Sequence, residues 1–144
     1  MKPTTIAFIA LPLALAGLIA TTSARAQEKT VWDGVYTDAQ AARGQKEYAE
    51  ACSSCHNSDL SGDGFAPALA GGEFLGNWGG TTVGDFFERI RISMPPSGPN
   101  SVSAKGKADI VAFIFKVNKF PAGQAELASE TQTLKAIKIE ATKP

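Results

Sequence analysis

The sequence is poor in the residues from which most active sites are built: among 144 residues there are one His, two Cys and two Met. That inventory argues against a zinc centre with four Cys or His ligands and against a Ser-His-Asp arrangement with a His to spare. Two thiols form at most one disulfide, so the chain is not a small domain framed by disulfides. Net charge is lacking too, because 14 basic side chains meet 14 acidic ones. Such a balance leaves no electrostatic footprint for nucleic acid. There is no internal repeat, and no alternation of apolar and polar residues long enough to make a sheet.

The N-terminus has the layout of a secretory signal. Lys2 precedes an acid-free apolar run from Ile6 to Ala20, interrupted by Pro12, and polar Thr21, Thr22 and Ser23 follow. Ala24-Arg25-Ala26 then offers small residues at alternate positions for a signal peptidase. At 15 residues the run falls short of the roughly 20 that a bilayer span needs. The expectation is a signal peptide over residues 1–26, cleaved after Ala26, and a mature product soluble outside the cytoplasm, in the periplasm of a bacterium. An uncleaved anchor is the alternative.

Beyond that segment the texture changes repeatedly. Residues 27–36 are a polar lead-in carrying Trp32. Thr37 to Ala51 predicts a helix, with Thr37 as N-cap, Asp38 in the first turn and several alanines behind them. Asn57 to Gly80 holds seven glycines and reads as loop. Thr82 to Ile92 predicts a second helix, because Val83, Phe86, Phe87 and Ile90 recur at helical spacing. Pro95, Pro96 and Pro99 make Ser93 to Asn100 extended or turning. Ala104 to Asn118 predicts a third helix with Ile110, Val111, Phe113, Ile114 and Val117 on its apolar face. The expected organisation is therefore all-α: three main helices and long Gly/Pro loops in one domain over residues 37–120, then a looser tail over 121–144.

The chemistry sits at the end of the first helix. Cys52-Ser53-Ser54-Cys55-His56 is C-x-x-C-H, the attachment pattern of c-type haem. Two thiols three residues apart can form thioethers to both vinyl groups on one edge of a porphyrin, and the adjacent His is then carried beneath the iron. A redox dithiol or half a zinc site is the competing reading; the first wants a βαβ context and the second two further ligands, and neither is in the sequence. The expected cofactor is one haem c, with Cys52 and Cys55 covalently attached and His56 on the metal.

The sixth iron ligand follows by elimination. No second His exists, and Met94 is the one Met left once the signal is removed. Its thioether suits a low-spin iron, and Pro95 biases Met94 towards an extended backbone. A Met that merely fills a gap in the core is the other reading.

With these residues in view, the chain resembles class I cytochromes c from about Tyr36 to Asn118. The resemblance implies that Gly44 and Tyr48 on the first helix cross Phe113 or Ile110 on the last. A close crossing would explain a glycine that disfavours helix by about 1 kcal/mol against Ala. It also implies that the Pro67 carbonyl accepts the His56 N–H and that Leu69 packs on the haem. The segments Leu75–Asp85, Ile92–Pro95, Ala108–Ile114 and Asn118–Gly123 are similar to the cytochrome modules that accompany quinoprotein alcohol dehydrogenases. Relatives carry an acidic residue in the first turn of the last helix; here Lys105-Gly106-Lys107 stands instead, which leaves that helix start in doubt.

For the remaining candidates two readings stay open. Trp78 could donate its indole N–H to a haem propionate or simply pack. Arg89 and Arg91 could neutralise propionates or be solvated. Phe86 and Phe87 suit the core better than an electron path. Lys105, Lys107, Lys116 and Lys119 could steer an acidic redox partner or merely be solvated. The resemblance implies a periplasmic one-electron carrier, not an enzyme, between a dehydrogenase (a quinoprotein alcohol dehydrogenase among them) and a downstream cytochrome or oxidase. The alternative is a haem-c enzyme or a gas or redox sensor with an open sixth iron site.

Overall fold

The computed structural model describes residues 28–144, so the expected signal peptide lies outside the described residues. Three helices dominate: α1 (Asp38–Ala51), α4 (Val83–Ser93) and α5 (Ala104–Val117), with shorter α2 (Ser53–His56), α3 (Gly71–Trp78) and α6 (Thr131–Leu134) between and after them. Strands β1 (Lys29–Thr30) and β2 (Ile137–Lys138) form one short parallel pair. No helix among the described residues is long and apolar enough to cross a membrane.

Each main helix begins where a side chain satisfies its first amides. The Thr37 hydroxyl accepts the Gln40 N–H at 3.1 Å, and Asp38 places its charge beside the positive end of α1. Thr82 and Asp85 cap α4 reciprocally, the Asp85 N–H reaching the Thr82 hydroxyl at 3.1 Å while that hydroxyl donates to the Asp85 carboxylate at 2.6 Å. The doubtful start of α5 is settled by Ser103, whose hydroxyl accepts the Gly106 N–H at 3.0 Å. A serine cap does there what an acidic first turn does electrostatically.

The core forms where α1 crosses α5. Gly44 lies in the crossing, and a Cβ at that position would overlap the backbone carbonyl of Asp109. Only hydrogen fits, which accounts for a glycine in a helix interior. One turn further on, the Tyr48 ring lies 5.3 Å from that of Phe113, and its hydroxyl donates to the Asn57 carbonyl at 2.7 Å. Arg43 straddles the same contact, donating to both carboxylate oxygens of Asp109 at 2.8 and 3.1 Å. Behind this seam Val111, Phe115 and Phe87 are fully buried. Phe86 and Phe87 are core residues.

Two expectations need correction. The glycine-rich stretch from Asn57 to Gly80 is not all loop, because α3 occupies Gly71–Trp78. Its helix is held by burial: Phe74 is fully buried, with its ring 5.3 Å from that of Phe86, and the tilted Trp78 ring lies 4.8 Å from the same ring. Tertiary packing overrides the low propensity of the glycines.

Nor is the tail loose. The Gln40 side chain exchanges two hydrogen bonds with the Leu127 backbone, at 2.7 and 2.9 Å. Gly123 donates to the Tyr36 carbonyl at 2.6 Å, Thr131 to Glu88 at 2.7 Å, and Leu134 and Ile139 are fully buried. The Trp32 indole N–H donates to the Glu140 carbonyl at 2.9 Å, and Ile139 exchanges backbone bonds with Gly80 and Thr81 at 2.8 and 2.9 Å. Lead-in and tail thus form one belt around α1 and α4. Its bonds run between residues far apart in sequence, so no local pattern announces it.

Gly44→Ala should destabilise the haem-loaded protein by about 1–3 kcal/mol, read as a lowered thermal midpoint; an unchanged midpoint would contradict the crossing. Acid should act through two carboxyls. Burial pushes the Asp109 carboxyl up most strongly of any one cause, but Arg43, Gln40 and the Lys105 ammonium together outweigh it and hold the group below the usual range. Arg91 and Thr131 hold Glu88 down to about 2. A depressed carboxyl stabilises the fold above its unfolded pKa of about 4 and loses that contribution as pH falls through the folded value. Thermal midpoints should therefore hold above about pH 5 and fall below about pH 4. Asp109→Asn should be less stable at neutral pH and fall less steeply in acid.

Candidate haem centre

The C-x-x-C-H segment leaves the end of α1 as a single tight turn. Cys52 terminates α1, and its carbonyl accepts the amides of Cys55 at 3.2 Å and His56 at 3.0 Å. Cys52 is half-buried and Cys55 exposed. Burial pushes the Cys52 thiol up to about 11, helped by Cys55 and Glu47 and opposed by the nearby Lys107 ammonium. His56 is buried, and its Nδ1 lies 2.8 Å from the Pro67 carbonyl oxygen. A carbonyl can only accept, so the proton is on Nδ1, and the lone pair of Nε2 is left to coordinate a metal.

The loop that brings Pro67 back is built from short polar bonds. Gly62 donates to the His56 carbonyl at 3.0 Å, and the Asp63 carboxylate accepts the amides of Phe65 and Ala66 at 2.9 and 2.8 Å. Those two bonds, the Ala66 one first, hold the Asp63 carboxyl below its ordinary range. Leu69 follows, half-buried, donating its amide to the Leu60 carbonyl at 2.8 Å.

Asn118, which caps the C-terminus of α5, fastens this loop from the other side. Its side-chain amide donates to the carbonyls of Leu69 and Ile114, both at 2.9 Å, and its oxygen accepts the Gly71 N–H at 2.9 Å. In the sequence Asn118 is merely the polar residue after an apolar run.

Met94 lies on a different element. It terminates α4 with φ −123° and ψ 139°, the extended conformation expected before Pro95, and donates its N–H to the Ile90 carbonyl at 3.0 Å. Its side chain is half-buried. The link from this segment towards Cys52 is Lys107, which is 2% exposed and donates to the carbonyls of Arg91 at 2.9 Å and Pro99 at 2.5 Å. Burial, then Arg91, pull its pKa down, against the influence of Cys52.

The other candidates separate. Trp78 packs on Phe86. Arg91 is exposed and pairs with Glu88 at 2.8 and 2.6 Å on the surface of α4, and Arg89 is exposed as well. The lysine cluster does not act as one surface. Lys107 is buried, Lys105 faces Asp109 at 3.3 Å, and Lys116 pairs with Asp38 at 2.6 Å. Lys107 was nevertheless detectable: it stands at the i, i+3, i+4, i+7 positions of the apolar stripe with Ile110, Val111 and Ile114.

The donor chemistry fits haem c. Cys52 and Cys55 would carry the two thioether links, His56 Nε2 would be the proximal ligand, and the Met94 thioether is a soft donor suited to the other axial position. Leu69, Leu75, Trp78 and Ile90 pack against the core yet remain only half-covered, and Ile92, two residues from Met94, is 56% exposed. Apolar surface of this kind suits a flat apolar macrocycle.

A family model described as cytochrome c oxidase, cbb3-type, subunit III matches residues 39–114, more than half of the chain. No curated protein and no solved structure matches it. A cytochrome c domain of this kind implies one covalently bound haem c with its iron. Asn118→Ala should cost about 1–3 kcal/mol and speed hydrogen exchange at the Gly71 amide, whose acceptor it removes. An unchanged Gly71 amide would show that Asn118 does not hold the loop.

Proposed function

This chain belongs to the family of cytochrome c domains described as cytochrome c oxidase, cbb3-type, subunit III, and on that premise we propose that it is a single-haem electron carrier, exported to the periplasm. In this reading it accepts one electron at a time from a dehydrogenase and delivers it to a downstream cytochrome or terminal oxidase. Cytochrome c domains are typically carriers and not enzymes. The single observation that carries the proposal is the bond from His56 Nδ1 to the Pro67 carbonyl. It fixes the one imidazole in the chain in the Nδ1–H tautomer and leaves Nε2, next in sequence to the two thiols, as a donor for a metal.

When bound, haem c supplies a one-electron iron couple. The protein's part is to hold that couple still and to set its potential. Pro67 fixes the orientation and raises the basicity of His56. The Met94 thioether and the apolar residues Leu69, Leu75 and Ile90 all favour the reduced state. If His56 and Met94 both held the iron, no position at the metal would be open to substrate, as a carrier requires and an enzyme or gas sensor does not.

Export is supported by the charged, apolar and small-residue layout of residues 1–26. The donor class is supported by the likeness of Leu75–Asp85 and Asn118–Gly123 to the modules that accompany quinoprotein alcohol dehydrogenases. With Lys105 and Lys116 paired to acids, those two lysines add little steering charge. Docking on such a partner would rest on shape and apolar contact more than on long-range attraction.

The visible spectrum of the haem-loaded protein tests the proposal. A carrier should show low-spin bands and, when oxidised, a weak sulfur-to-iron charge-transfer band near the red edge. Met94→Ala should abolish that band, admit CO to the reduced protein and lower the reduction potential. A native protein that is high-spin and binds CO readily would instead be the sensor or enzyme. Purification of the native protein from its source should bring down a dehydrogenase or an oxidase with it.

A further inference from the structure

Lys107 occupies a position at which packing alone would favour an apolar side chain. It lies on the inner stripe of α5, in the first turn and a half, and is 2% exposed. Its ammonium is bonded to two backbone carbonyls and to no carboxylate: Arg91 at 2.9 Å and Pro99 at 2.5 Å. A buried cation without a counter-ion is costly unless hydrogen bonds replace its water, so these two bonds are what make Lys107 tolerable in the core.

The two carbonyls stand on either side of one short segment. Arg91 is in the last turn of α4, where carbonyls have no helical partner and the helix dipole welcomes a cation. Pro99 opens the next helical turn, Pro99–Ser101. Between them run Ile92 to Gly98, with Met94 at the helix end. The Met94 N–H donates to the Ile90 carbonyl at 3.0 Å and the Ser93 hydroxyl to the Arg89 carbonyl at 2.6 Å, which tie the segment's start to α4. The Gly98 N–H donates to the Pro95 carbonyl at 3.0 Å, but none of these bonds ties the segment to α5. Lys107 does.

We propose that Lys107 is a positioning residue for the sixth iron ligand: its side chain clamps both ends of the 92–98 segment to α5 and so holds the Met94 thioether on the metal. This rests on Met94 being that ligand. A ligand on a loop is held only as well as the loop is closed, and an exogenous ligand must compete with the closed population. Weakening the clamp therefore raises the apparent affinity of a competing ligand without any change at the metal itself.

Imidazole is a suitable probe. Oxidised haem-loaded protein is titrated with it while the charge-transfer band is followed. Loss of two hydrogen bonds from a charged donor should let Lys107→Met bind imidazole about tenfold more tightly than the native protein. Lys107→Arg, which keeps charge and donors, should bring the affinity back towards the native value. Where Met94 is already removed the clamp has nothing to hold, so Met94→Ala and the double variant Met94→Ala/Lys107→Met should bind imidazole equally. Equal affinities for native protein and Lys107→Met overturn the proposal. So does an effect of Lys107→Met that persists with Met94 absent, since Lys107 would then act on the whole pocket. A Met94→Ala variant that keeps the band and the native affinity overturns the ligand assignment itself. If Lys107→Met gives no haem-loaded protein, Lys107→Gln, shorter and uncharged, must shift affinity in the same direction, and native behaviour in that variant overturns the clamp.

Discussion

The crossing of α1 over α5 at Gly44 is the contact from which the rest of the molecule is hung. It sets the two longest helices against each other with backbone nearly touching backbone, and Arg43, Asp109, Tyr48 and Phe113 hold the angle. The C-terminus of α1 then delivers Cys52, Cys55 and His56. α5 carries a polar fastener at each end: Lys107 near its start holds the segment around Met94, and Asn118 at its finish holds the segment around Pro67 and Leu69. One rigid helix thus references both loops to a common frame. Sites built on such elements keep their ligands in tighter register than loops alone can.

Much of this is visible in the sequence where the signal is local. The caps at Thr37 and Thr82 are one side chain and an amide three residues on, and the apolar spacing of α4 and α5 is a property of each helix by itself. Met94 is extended because its neighbour is a proline, again a local matter. Gly44 is legible only through the resemblance, since a glycine in a helix says nothing about what crosses it. The parts that escaped are those made by distant partners. α3 exists because Phe74 and Trp78 find Phe86, and the belt from Gly123 to Ile139 exists because Tyr36, Gln40 and Thr81 offer it bonds.

The candidate site divides in the same way. Its donors form one short motif and one isolated thioether, and both stand out in a chain with so few sulfurs and a single imidazole. The side chains that orient those donors do not stand out, because Asn and Lys binding a carbonyl from afar look like ordinary surface residues. Lys107 is the instructive case. Read by residue type it joins a cluster of solvated lysines; read by position it interrupts an apolar stripe, and position is the better guide. Conflict between residue type and helical face is worth scanning for wherever a fold has to hold a ligand on a loop.

The parallel pairing of Lys29–Thr30 with Ile137–Lys138 also bears on time. Those bonds cannot form until residues 137–138 have been made and released, whereas the turn holding both thiols is complete far earlier along the chain. The belt therefore joins nearly the two ends of the described chain, and its closure carries a loop entropy that the local turn with the thiols does not.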